Sequence, residues 1–319
     1  MPRTSRKNFF ANAWQLLKKS GIEFADGSDL KLGASLSYYT IFSLPPLLII
    51  VISLCGVFFG AEAVKGEIYG QIGHLVGKDT ALQIQEMIKN VALSRDTALA
   101  TTLGVITLLF GASGVFGEIQ DSINRIWGIK AKPNRGLAKL IRNRLVSFSM
   151  IVVIGFLMLV SLILNAIIEM LNNKLQEIFP HLSVYLFYAV NLVLLFAIIT
   201  LLFAIVFKTL PDGKVSWKDA LIGSTFTAVL FMIGKSAIGL YLGNSKIAST
   251  YGAAGSLIVI LLWVYYSALI LYFGAEFTKV YAFTFGSKII PNNYAVYVEK
   301  QEVEKETLKK SDEPKAQVA

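Results

Sequence analysis

The run from Gly255 to Ala275 contains no charged residue and reads as apolar on every face. A helix of about 20 apolar residues crosses the ~30 Å hydrocarbon core of a bilayer. A soluble domain would need such a helix to show a polar side. The run therefore reads as a membrane span. It ends at Glu276, a carboxylate that apolar surroundings penalise, so its last turn is also where a functional group stands out.

Five further apolar runs precede it. The six expected spans are about Gly33–Gly60, Ala98–Gly117, Leu145–Ile168, Val184–Phe207, Ala220–Leu242 and Gly255–Lys279. Composition agrees: charged residues make up 16%, well below the ~25% of soluble domains, and mean hydropathy is +0.60. The fold class expected is all-α, a polytopic membrane protein with six transmembrane helices. One cysteine, Cys55, excludes a disulfide framework, and with only His74 and His181 beside it a structural zinc site is not expected. Residues 1–31 are polar and basic with no cleavage signal, so the first span is expected to direct insertion.

Lys and Arg counts orient the spans. Residues 1–32 hold six, 118–144 seven, 208–219 three and the tail after Tyr281 six, against four in 61–97 and the single Lys174 and Lys246. That is 22 on one side and 6 on the other, which predicts that both the N- and C-termini are cytoplasmic. It also accounts for the net charge of +9 without nucleic acid.

Three parts follow: a cytoplasmic N-terminal segment 1–32, a six-helix transmembrane domain 33–281, and a polar, largely disordered cytoplasmic tail 282–319. Within the first, residues 8–24 form an amphipathic helix. Phe9, Phe10, Trp14 and Leu17 lie on its apolar side, and Lys18 and Lys19 suit anionic headgroups. It fits either the membrane interface or the cytoplasmic end of the bundle. Leu82, Ile84, Met87, Ile88 and Val91 predict one or two short amphipathic helices in the outer connection.

Polar residues inside or beside the spans are the candidate substrate or ion pathway, because each costs free energy there. Glu118, Asp121, Asn124, Arg125 and Glu276 fall toward the cytoplasmic side. Glu118 and Asp121 share a helix face. With Glu276 they fit a proton or cation site. Ordinary helix-end charges are the alternative, with Glu276 pairing to Lys279 on its own helix. Asn165, Asn191 and Lys235 fall toward the outer side, where Lys235 fits either a polar cavity or snorkelling to the interface. Pro45 and Pro46 each remove an amide donor mid-span and predict a kink or helix break. Gly111, Gly114, Gly117, Gly234 and Gly239 suit close helix packing. No P-loop, nucleophile elbow or metal cluster appears, so neither enzymatic activity nor a cofactor is expected.

Four ordered pieces resemble the YihY/BrkB family of bacterial inner-membrane proteins. They are GASLSYYTIFSLPPLLIIVISLCGVFFG from Gly33, GASGVFGEIQDSINRIWGI from Gly111, LPDGKVSWKDALIGS from Leu210, and STYGAAGSLIVILLWVYYSALILYFGAEFTKV from Ser249. The resemblance covers roughly Leu30 to Tyr281 and implies a six-helix protein of the cell inner membrane. It draws attention to Tyr38, Tyr39, Asn124, Trp263, Tyr265, Tyr266 and Gly274, beside Pro45, Pro46 and Glu276, and attaches no catalytic role to any of them. The family has carried a ribonuclease label. That chemistry wants clustered His and Asp ligands, which His74 and His181 in outer loops do not supply. The function expected is a transporter or flippase-like protein for a lipid or anionic envelope component. A non-transporting membrane scaffold is the alternative. Membrane lipids and a lipid or glycolipid substrate are the expected partners, with no nucleic acid.

Overall fold

A computed structural model describes residues 6–59, 98–132, 145–157, 180–244 and 255–298, with a few single positions between them. Seven helices are described: α1 (Arg6–Asp26), α2 (Asp29–Phe59), α3 (Ala98–Ile126), α4 (Leu145–Leu157), α5 (Pro180–Thr209), α6 (Trp217–Asn244) and α7 (Gly255–Thr284). Short strands β1 (Ile129–Ala131), β2 (Gly213–Lys214), β3 (Ile290–Pro291) and β4 (Ala295–Tyr297) accompany them.

Within α5, α6 and α7, three stretches are long and apolar enough to cross a membrane: Ala189–Thr209, Trp217–Tyr241 and Leu257–Thr284. They coincide with the fourth, fifth and sixth expected spans. Large apolar side chains on these stretches are not packed into a protein core, as at Val193, Ile233 and Leu240, each more than 60% exposed. The expected helices of the 61–97 connection, and the third span beyond α4, lie largely outside the described residues.

Close approach is built into the α6–α7 pair. The two helices run antiparallel, and each presents a glycine to the other's threonine. A Cβ on Gly223 would collide with the Thr278 side chain, and one on Gly274 with Thr227. Each threonine hydroxyl donates back to its own helix, Thr227 to the Gly223 carbonyl and Thr278 to the Gly274 carbonyl, both at 2.7 Å. Those bonds satisfy the hydroxyls without water and fix the rotamers that fill the glycine notches. Further along the pair, Gly234 admits Tyr266 and Ile270.

The best-packed core lies at one end of the bundle. Trp127, Phe207, Leu210, Tyr272 and Ile289 are all but fully buried there. The segment after α7 returns across this end. β3 pairs antiparallel with β2, and β4 with β1, so Tyr297 lies opposite Ile129 and Pro291 opposite Gly213. Gly128 makes the first turn possible: it ends α3 with φ +65°, a conformation that costs glycine little, and its carbonyl accepts from the Val298 amide at 2.7 Å.

The chain is mostly helical, and two short strand ladders cap one end. Two expectations are corrected. Residues 282–298, expected with the disordered tail, complete α7 and form β3 and β4. Finally, α2 continues as one 31-residue helix through Pro45 and Pro46. The helix is therefore not broken there: each proline deletes a backbone bond, and the bonds on either side carry the helix across.

Candidate functional site

The cap end holds a cavity of about 660 Å³ between four helices and β4. Glu23 and Asp26 come from α1, Asp29 from the start of α2, Arg125 from the end of α3, and Glu276 and Lys279 from α7. The α1–α2 corner creates it. Gly27 donates to the Glu23 carbonyl at 2.9 Å, ending α1, and α2 restarts two residues later with Asp29 in its first turn.

Its charges alternate from surface to interior. Lys19 lies 3.9 Å from Glu23, Glu23 lies 2.8 Å from Lys279, and Lys279 lies 3.1 Å from Glu276. Glu276 is 4% exposed and Asp29 3% exposed. A buried carboxylate is tolerated when a cation and hydrogen bonds accompany it. Lys279 supplies these to Glu276 from one turn away, as the pairing alternative expects, and Glu23 of another helix shares the same ammonium. Four carboxylates against two cations leave the cavity net acidic.

The sequence-chosen residues divide. Glu276 and Arg125 line the cavity together. Glu118 and Asp121 do not, so the structure does not gather the three carboxylates into one site. Glu118 is half-buried on α3 and Asp121 is exposed. Asn124 is buried in a different arrangement. Its side-chain amide donates to Asp212 Oδ2 at 3.0 Å and its Oδ1 accepts from the Asp212 backbone at 2.7 Å. Gln120 donates to Asp212 Oδ1 at 3.1 Å. This network pins the turn after α5 to the end of α3. Asn191 is exposed on α5, Lys235 is half-buried on α6, and Asn165 lies outside the described residues. Pro45 and Pro46 lie within α2, which contributes its first turn to the cavity.

Sequence reading missed Asp29, Asp212 and Asp219. All three are buried, yet each sits in a polar, turn-like stretch that looks solvated. Asp219 accepts from the Ser287 amide at 2.9 Å, so it is covered by the segment after α7. The one local signal was Pro-Asp-Gly at Pro211–Gly213, which reads only as a turn. Trp127 was also missed. Its indole donates to the Ala275 carbonyl at 3.1 Å, fastening α3 to α7 one residue before Glu276.

Comparison with known proteins supplies the lineage. A UPF0761 membrane protein of Teredinibacter turnerae is 25% identical over 84% of this chain and 60% of its own length. One of Saccharophagus degradans is 28% identical over 86% of this chain and 59% of its own, and one of Psychromonas ingrahamii is 28% identical over 76% and 79%. The chain thus spans about three-fifths of the length of the first two relatives. No solved structure matches it. The family model described as virulence factor BrkB matches residues 23–290, from the last turn of α1 to β3. With the α6–α7 pair and the helical walls of the cavity inside that match, the chain belongs to the virulence factor BrkB family of membrane proteins.

Proposed function

We propose that this chain is a multi-pass inner-membrane transporter of the flippase type, which takes the headgroup of an amphiphile into the cap-end cavity. In this reading six spans place both termini, and the cap, in the cytoplasm, as the distribution of Lys and Arg favours. The observation that carries it is the cavity: buried Glu276 and Asp29 beside Arg125, at the end of an apolar bundle. Carboxylates recognise an ammonium and a guanidinium recognises a phosphate. Of the lipid or anionic cargo expected from sequence, the net acidic lining favours a lipid with an amine-bearing, zwitterionic headgroup. The cavity holds ion pairs rather than a nucleophile beside a base, so the reading is of a carrier and not a catalyst.

Reconstitution into liposomes carrying headgroup-labelled phosphatidylethanolamine tests it. Protein-dependent transfer between leaflets is expected, slowed about tenfold by Glu276→Gln, a loss of ~1.4 kcal/mol. Transfer no faster than in protein-free liposomes, with Glu276→Gln and Arg125→Gln both silent in cells, would overturn it in favour of a scaffold.

A further inference from the structure

A second hollow, about two turns toward the N-terminus of α1 from Glu23, has different chemistry. It is a groove of about 460 Å³ where α1 crosses α6 and α7. Leu16 and Leu17, Ile222 and Phe226, and Phe277 and Tyr281 form its walls. The lining is firm: the Phe226 and Phe277 rings stack at 3.9 Å, and Leu16, Phe277 and Val280 form a small buried cluster beneath it.

Its depth identifies the occupant. Trp217 begins α6 and is 54% exposed, as an aromatic anchor at headgroup level is. Ile222 and Phe226 follow it by five and nine residues, which places them roughly 8–14 Å deeper by helical rise. That is the depth of upper acyl chain carbons. The end toward Trp217 is basic and aromatic. Lys218, one turn before Ile222 on the same face of α6, is exposed, and so is Phe285 of the lining. No ion pair links Lys218 to a carboxylate among the described residues.

We infer that this groove binds one anionic phospholipid, with an acyl chain along Leu16, Phe226 and Phe277 and its phosphate at Lys218. The site is separate from the cap-end cavity, and the inference does not depend on the transport reading.

Native mass spectrometry of the full-length protein tests it, with dioleoyl phosphatidylglycerol or dioleoyl phosphatidylcholine added to the detergent. One retained phosphatidylglycerol is expected, favoured about fivefold over phosphatidylcholine by one lysine. Lys218→Gln, an exposed change that leaves packing intact, is expected to erase that preference while a lipid still binds. Ala13→Trp fills the groove and is expected to abolish retention, with an unchanged melting temperature showing that the bundle is folded. Equal retention of both lipids by the wild type, or a preference untouched by Lys218→Gln, would overturn the inference. Retention unaffected by a folded Ala13→Trp would place the lipid elsewhere and overturn it as well.

Discussion

α7 meets its neighbours in two opposite ways. Toward α6 it is locked: glycine notches at Gly223 and Gly274 are filled by threonines, with no room for a methyl group. Toward α1, α2 and α3, at the same depth, it leaves a cavity of about 660 Å³ bridged by ion pairs. Small-residue contacts depend on shape and tolerate no separation. Ion pairs depend on charge and hydration rather than on shape. The contrast is between a face of α7 locked by shape and a face that keeps a polar cavity, with Trp127 and Gly33 holding α3 and α2 against α7 beside it.

The largest expected effect tests the locked side. Gly274→Val drives a side chain into Thr227 and is expected to cost about 3 kcal/mol or prevent folding, read as lost monodisperse protein in detergent. Exchanging the partners, Gly223→Ala with Thr278→Gly, is expected to recover much of what Gly223→Ala alone loses. Failure of that exchange would mean that the notch is not what holds the pair.

Next comes the cap that frames the open side. Asp212→Ala removes the acceptor of both the Gln120 and Asn124 side-chain amides and is expected to cost about 2 kcal/mol. Hydrogen exchange should then rise in residues 126–132 and 287–298 while the α6–α7 pair stays protected.

On the open side itself, Glu276→Gln and Glu23→Gln are each expected to cost no more than about 1 kcal/mol. Both accept from Lys279, so their effects should be non-additive by roughly 0.5 kcal/mol or more in a double-mutant cycle. Strict additivity would show that the shared ammonium couples nothing.

Smaller still is a pH effect in the cap. The Tyr297 hydroxyl donates to the Ile289 carbonyl, and burial raises its pKa above the ordinary tyrosine value of about 10. The stability that this group adds is complete below pH ~10 and is lost as pH rises through the raised folded value. Tyr297→Phe is expected to lower the melting point slightly at neutral pH and to lack that part of the alkaline loss.

Much of this was legible in the sequence. Uncharged runs marked α5, α6 and α7, because in lipid the backbone must satisfy itself and helices leave no alternative. Glu276 stood out because an ionisable group that close to an apolar run is exceptional, and its pairing with Lys279 followed from their spacing. What stayed hidden is whatever distant chain segments create. Strands of two or three residues carry no periodicity, so β1 to β4 left no pattern to read. Asp212 and Asp219 are buried only because residues 287–292 return to cover them, and no local spacing announces that. Glu118 and Asp121 show the reverse. Their spacing from Asn124 and Arg125 placed all four on one stretch of helix correctly, but only a neighbouring helix decides which of them turns inward.

The strand ladders have a consequence for how the molecule is made. β1 and β2 pair with strands that leave the ribosome only after α7 has been translated. Membrane insertion of α5, α6 and α7 must therefore proceed while the turns at 126–132 and 210–216 are still unclosed. The cap closes only after the helices have been made, and a chain interrupted between Thr284 and Ile289 would keep the Asp212 network and the Trp127 contact but lose both strand ladders at that end. Such a product should be inserted, full of helix, and selectively cleaved by proteases at the two open turns.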